Sequence, residues 1–210
     1  MCDTILFIDF DGTITAEETM GGIMKRFTPK FYYARKGVQF LLKKITLADL
    51  IHFSFDRIPS TRMPEIMDYV RNVPIRPGFE ELLKTCKELG ITVVILSGGV
   101  APCVRDKMQP YEGEFEAIYA VEVDTSGPVL RPYCKYEGEG YLMRKELVLK
   151  EYDCKRSISI GDSYSDFRMG KAADIVFARD TLAKELDKNG LPYYAWNDFY
   201  DVEKIIRTLT

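Results

Sequence analysis

The sequence predicts an α/β fold: a parallel sheet flanked by helices, with a small all-helical insert near its start. Three observations lead there. Short apolar runs without polar alternation, Thr4-Ile5-Leu6-Phe7-Ile8 first among them, read as strands buried on both faces. From Phe79 onward such runs alternate with segments of helical period, the pattern of α/β chains. Between Glu17 and about Asn72, helical spacing stands alone.

The first strand delivers Asp9 and Asp11 into a glycine turn, Asp9-Phe10-Asp11-Gly12-Thr13. Ligands bind beyond the carboxyl ends of parallel strands. Side chains two residues apart point the same way, so both carboxylates can meet one ligand. Two acidic groups this close repel each other, and a hard divalent cation relieves the repulsion; Mg²⁺ suits one or two carboxylates plus a phosphate. A solvated Asp-Gly turn is the plainer reading of the stretch taken alone. An EF-hand loop is excluded, because Met20 stands where its twelfth-position Glu belongs.

In the insert, Met20-Ile23-Met24-Phe27, Phe40-Leu41-Ile45 with Leu50-Phe53, and Met63-Ile66-Met67-Val70 recur at helical spacing. With breaks at Thr28-Pro29, Thr46 and Pro59-Ser60-Thr61, they predict about four short helices. Such a segment cannot continue a parallel sheet. The expected division is a core domain of residues 1–15 and 75–210 and a helical cap of residues 16–74, a lid that excludes water from the strand end.

The core then resumes. Phe79 to Leu89 reads as a helix closed by Gly90, and Ile91 to Leu96 as a strand running into Ser97-Gly98-Gly99 and a helix from about Val100. A hydroxyl and free backbone N–H groups at a helix N-terminus form a small anion cradle. A strand around Ala117 to Val121, a hairpin-like turn at Asp124 to Gly127, a loop from Tyr133 to Gly140 and a helix from Tyr141 to Tyr152 follow. The strand Ser157 to Ile160 opens into Gly161-Asp162-Ser163-Tyr164-Ser165-Asp166, which places Asp162 and Asp166 to join the metal site. A strand at Ile175 to Phe177, a helix from Thr181 to Asn189 and a last helix from Asp198 to Leu209 complete the reading.

Composition narrows the function. With 210 residues, 46% hydrophobic and 29% charged, the chain reads as an ordinary soluble globular protein. A net charge of −3 argues against a general nucleic-acid binder. No charged-then-apolar leader and no run of membrane-spanning length is seen, which predicts a cytoplasmic protein without a membrane partner. The five cysteines (Cys2, Cys86, Cys103, Cys134, Cys154) form no C-x-x-C pair, so neither zinc nor a disulfide framework is indicated. The single histidine, His52, lies in a helical stretch without a partner motif and reads as structural, which leaves catalysis to carboxylates, lysine and hydroxyls.

Three strand-end motifs in this order, D-F-D-G-T, S-G-G and G-D-S-Y-S-D, resemble the haloacid dehalogenase (HAD) superfamily of phosphohydrolases across the whole chain. The insert between the first two resembles the C1-capped branch that includes phosphoserine phosphatases. D-F-D-G-T-I-T, F-A-R-D at Phe177 to Asp180 and N-D-F-Y at Asn197 to Tyr200 resemble the branch of methionine-salvage phosphatases acting on 2-hydroxy-3-keto-5-methylthiopentenyl-1-phosphate. The resemblance implies a Rossmann-like fold and a Mg²⁺-dependent phosphatase of a small phosphorylated metabolite, working through an aspartyl phosphate as a monomer or homodimer.

It also implies roles, residue by residue. Asp9 is the nucleophile. Asp11 is the general acid and base, with its backbone carbonyl on the metal. Ser97, with the backbone of Gly98 and Gly99, binds the transferring phosphoryl group. Asp162 completes the metal shell, and Asp166 orients it from just outside. The family's lysine falls at Lys145 or Lys135, of which Lys145 fits the methionine-salvage pattern; the phosphoserine phosphatase position falls near Glu139. Glu18 stands where phosphoserine phosphatases carry a Glu for the substrate ammonium, with Arg57 or Arg62 to meet a carboxylate, yet it reads equally as an acidic residue in a helix's first turn. Phosphoserine phosphatase, a phosphotransferase to an alcohol, and an inactive binding or regulatory module are therefore the alternatives.

Overall fold

The computed structural model describes residues 2–209. Its sheet contains β1 (Cys2–Asp9), β2 (Thr92–Val100), β3 (Ala117–Asp124), β4 (Arg131–Tyr133), β5 (Cys154–Gly161), β6 (Ile175–Ala178) and β7 (Tyr194–Ala195). The spatial order is β4-β3-β2-β1-β5-β6-β7. Every pairing is parallel except that of β4 with β3, where Glu122 faces Tyr133 across an antiparallel turn. Six helices accompany the sheet: α5 (Phe79–Glu88), α6 (Ala101–Met108), α7 (Lys145–Leu149), α8 (Phe167–Ala172), α9 (Asp180–Lys188) and α10 (Phe199–Leu209).

β1 is the central strand because its middle is apolar on both faces. Ile5 to Ile8 are at most 1% exposed, and Ile8 pairs with Ile95 on one side and Ile160 on the other. From β1 the chain builds outward through β2 to β4, then returns across β1 to start β5. This reversal of strand order makes the carboxyl ends of β1 and β5 the crevice where doubly wound sheets bind ligands.

Before β2 the chain forms α1 (Thr19–Phe27), α2 (Lys30–Leu41), α3 (Leu47–Phe55) and α4 (Met63–Asn72). Thr46 starts α3 with a capping box: the Asp49 amide donates to its Oγ1 at 3.1 Å, and the Thr46 amide donates to the Asp49 carboxylate at 2.9 Å. α1, α3 and α4 contribute Ile23, Phe55 and Ile66 to the core, whereas α2 has no fully buried residue. The segments that enter and leave this helical stretch are tied together: Thr15 bridges to Ile75, Ala16 N donates to Pro74 O at 2.8 Å, and Arg76 N donates to Ile14 O at 2.8 Å.

Several elements depart from expectation. β2 continues through Ser97-Gly98-Gly99 to Val100, with a register shift against β3 between Leu96 and Val100. The helix expected over residues 141–152 is only Lys145–Leu149. A tight turn with Glu139 at φ 52° and a bond from the Arg144 amide to Tyr136 O (3.1 Å) hold the preceding residues out of helix. β7, two residues long, was not expected. Cys86 and Cys103 are buried, and burial pushes both thiols up to about 12, so they behave as small apolar residues; the side chain of Cys2 lies outside the described residues. Among the described residues no helix is long and apolar enough to cross a membrane.

Phe7 is fully buried and meets Tyr152 edge-on, ring centroids 5.5 Å apart. Phe7→Ala is expected to lower unfolding free energy by about 3–5 kcal/mol, read from the denaturation midpoint at unchanged m-value.

Candidate active site

The end of β1 turns sharply, and the turn exists for its side chains. Gly12 takes φ +79°, and a Cβ there would stand 2.5 Å from Asp162 Oδ2, so only glycine lets the β1 and β5 ends approach this closely. Thr15 closes the turn, its Oγ1 accepting from Gly12 N at 3.0 Å and lying 3.0 Å from Phe10 O. Asp9 and Asp11 are thereby buried at the mouth of the sheet.

Lys145, at the start of α7, is 1% exposed. Its ammonium donates to Asp9 Oδ1 and to Asp166 Oδ1, the latter at 2.6 Å. Asp166 Oδ2 accepts from Asp162 N (3.2 Å), Ser163 N (3.0 Å) and Ser163 Oγ (3.1 Å), so both of its oxygens are engaged. Asp11 is held differently: the hydroxyl and amide of Thr19 donate to Oδ1, the amide at 3.2 Å, and Ser97 Oγ approaches Oδ2 at 3.4 Å. Gly99 N donates to Ser97 Oγ at 2.8 Å. Asp9 Oδ2 is buried with no hydrogen-bond partner.

Burial pushes the pKa of Asp9 well up, with Asp166, Asp162 and Asp11 adding to the shift and Lys145 opposing it. Burial likewise raises Asp11 and, with the Asp166 charge, pushes Asp162 up to about 7. For Lys145 burial disfavours the charge, but Asp166 and Asp9 outweigh it and hold the ammonium above its ordinary value. The edge is thus short of positive charge. Carboxylate oxygens of Asp9, Asp162 and Asp166 lie within 4.8 Å of one another, and with the orphaned Asp9 Oδ2 this all-oxygen donor set fits a hard divalent cation.

The residues singled out from sequence therefore converge: Asp9, Asp11, Ser97, Gly98, Gly99, Asp162, Asp166 and Lys145 meet at one sheet edge, with Glu18 beside them. Lys135 does not join them; it is exposed, 3.7 Å from Glu151 and over the Tyr136 ring. His52 lies away from the edge, its Nε2 2.7 Å from Glu137 Oε1. Arg57 lies over Tyr32, and Arg62 pairs with Glu65 and lies over Phe27. Thr19, which fixes Asp11, was missed in sequence; a hydroxyl in the first turn of the helix after the Asp turn was its only signal.

A cavity of about 430 Å³ opens above this edge. Asp9, Asp11, Gly98 and Lys145 form its floor, and its walls are largely apolar, with Met20 and Met24 from α1, Phe40 from α2, and Leu50 and Ile51 from α3.

Two acidic strand-end turns, a Ser-Gly-Gly stretch at the same sheet edge and a buried lysine thus meet at the switch point of a doubly wound sheet. The model of the haloacid dehalogenase-like hydrolases matches residues 6–171, and the chain belongs to that family. Among its relatives, a 2-hydroxy-3-keto-5-methylthiopentenyl-1-phosphate phosphatase of Microcystis aeruginosa is 35% identical over 204 residues, spanning 96% of this chain and 97% of the relative. One of the same name from Brevibacillus brevis is 32% identical, spanning 97% and 95%. A substrate-bound phosphoserine phosphatase shares the fold at a TM-score of 0.76 and 16% identity, covering 97% of this chain and 98% of that one.

Three substitutions probe the geometry. A methyl group on Gly99 would overlap Asp11 Oδ2; Gly99→Ala is expected to cut kcat by about 100-fold, the cost of a misplaced reacting group, with the melting temperature nearly unchanged. Lys145→Ala should lower kcat by at least about 100-fold, as removal of a charge-stabilising donor does, while Lys135→Ala stays within about twofold; steady-state kinetics of the two variants side by side make the comparison.

Proposed function

We propose that the chain is a Mg²⁺-dependent phosphatase of a small phosphomonoester with a largely apolar body, of the 2-hydroxy-3-keto-5-methylthiopentenyl-1-phosphate kind, and that α1–α4 act as its cap. The observation that carries the reading is the cavity: a phosphoryl-sized floor of Asp9, Asp11, Gly98 and Lys145 under apolar walls, with Lys145 the one cation among its described lining residues. Lys145 is already engaged by Asp9 and Asp166, so a substrate carboxylate would find no partner there. The names of the relatives agree with an apolar methylthio tail.

In this mechanism one oxygen of the Asp9 carboxylate attacks phosphorus to give an aspartyl phosphate, with the ester oxygen as leaving group. Lys145 opposes the protonation that burial favours at Asp9 and offsets charge as the two anions approach. Asp11 protonates the leaving oxygen, and its raised pKa is the direction a general acid needs. The same group then takes a proton from the water that hydrolyses the acyl phosphate. Ser97 Oγ and the Gly98 amide receive the phosphoryl oxygens. Asp9 and Asp162, with the Asp11 carbonyl and with Asp166 behind, would hold Mg²⁺, which would supply the positive charge that this edge lacks.

A second reading, phosphoserine, is favoured by Glu18. It lines the cavity, where burial and the Asp11 charge push it up to about 7, although its Oε2 also accepts from Gly21 N at 2.7 Å and so caps α1. The two substrates separate the readings. The methylthio enol phosphate is expected to exceed phosphoserine in kcat/KM by at least about 100-fold, because a site without partners for a charged group rejects it. Release of inorganic phosphate should cease with EDTA and return with Mg²⁺. A kcat/KM for phosphoserine above ~10⁴ M⁻¹s⁻¹, collapsing in Glu18→Gln, would overturn the choice.

A further inference from the structure

The F-A-R-D and N-D-F-Y stretches touch neither the cavity nor the carboxylates, yet the structure gives them a shared task. Arg179 of the first and Arg76 both lie over the ring of Trp196, each Cζ 5.3 Å from its centroid, and Phe199 of the second stacks on that ring at 5.3 Å. Both guanidinium groups donate to Asn197 O, Arg179 at 2.8 Å and Arg76 at 3.4 Å. Trp196 is buried, and its Nε1 donates to Gly161 O at 3.4 Å, immediately before Asp162.

Arg76 spends its remaining donors on the other strand end. Its Nε donates to Thr13 O at 2.9 Å and its Nη2 to Gly12 O at 2.5 Å, with Ala16 O at 3.4 Å. These carbonyls belong to the turn that presents Asp11. Rotation of either peptide would swing Asp11 from Thr19 and Ser97 and move Gly12 off Asp162. A planar fork of five donors can hold several carbonyls while its face lies on an indole; an ammonium cannot.

We propose that Trp196, with Arg76 and Arg179 on its ring, is a positioning unit: it ties the Asp11 turn to the Asp162 turn and so sets the spacing of the two catalytic strand ends. None of its three side chains is among the described residues that line the cavity. The inference rests on the reading of this edge as a metal-dependent phosphatase site, and it gives the two unexplained stretches a physical reason, since one supplies Arg179 and the other Asn197 and Phe199.

The test uses the full chain and two readouts in parallel, calorimetric titration with Mg²⁺ alone and steady-state hydrolysis of a phosphomonoester. Arg76→Ala is expected to weaken Mg²⁺ binding by about tenfold, the usual effect of losing an outer support. It should lower kcat by about 10- to 100-fold with KM for the ester nearly unchanged. Arg76→Lys, which keeps the charge without the fork, should fall between. Should Arg76→Ala fail to fold, Trp196→Phe keeps a smaller aromatic face and removes the N–H to Gly161; it should still weaken Mg²⁺ binding measurably. Foldable variants with Mg²⁺ affinity and kcat within twofold of the parent, whatever their melting temperatures, would overturn the proposal. A parent protein that neither binds Mg²⁺ nor hydrolyses phosphomonoesters would instead overturn the reading of the site, and this inference with it.

Discussion

One buried ammonium makes this sheet edge possible. Asp9, Asp11, Asp162 and Asp166 stand where two central strands end, and at Asp9 and Asp162 desolvation and the neighbouring carboxylates both oppose ionisation. Lys145 reaches Asp9 and Asp166 at once, and the rest of Asp166 is tied to backbone and hydroxyl donors of its own turn. Removing one partner from such a buried cluster typically costs about 3–5 kcal/mol, since the survivors are left uncompensated. The short α7 and the irregular loop before it exist to deliver that one side chain.

Work is divided between two sources. The strand ends supply the carboxylates and the Ser-Gly-Gly stretch, and α7 adds Lys145 to them. The helices between β1 and β2 supply the apolar walls, and through Thr19 they also reach down to fix Asp11. The reacting edge is therefore completed by the same helical segment that shapes the space above it.

Much of this was legible in the sequence, for reasons that also explain the rest. β1 could be read because five consecutive bulky residues admit one solution, and the Asp, Ser-Gly-Gly and Gly-Asp stretches because each follows such an apolar run, although β2 itself continues through Ser97-Gly98-Gly99 to Val100. Lys145 and Lys135 stayed open together: spacing alone cannot say which of two lysines a loop folds inward, and here the turn around Glu139 and the bond from Arg144 N to Tyr136 O decide it. The same features shortened the helix that Tyr141 to Tyr152 suggested. Arg76 and Trp196 left no local mark, because they act on backbone carbonyls that every residue possesses, across 64 and 35 positions of chain. The apolar rows Met20-Met24 and Leu50-Ile51 were readable as helix faces; that they look into a cavity as well as a core depends on how four helices meet.

Trp196 is the chain's single tryptophan. Its indole lies buried under two cations and on one hydrogen bond to the residue before Asp162, so the protein's tryptophan emission comes from the junction of the Asp11 and Asp162 turns. The natural sequence thus holds a label-free optical gauge of that junction, undiluted by signal from any other indole.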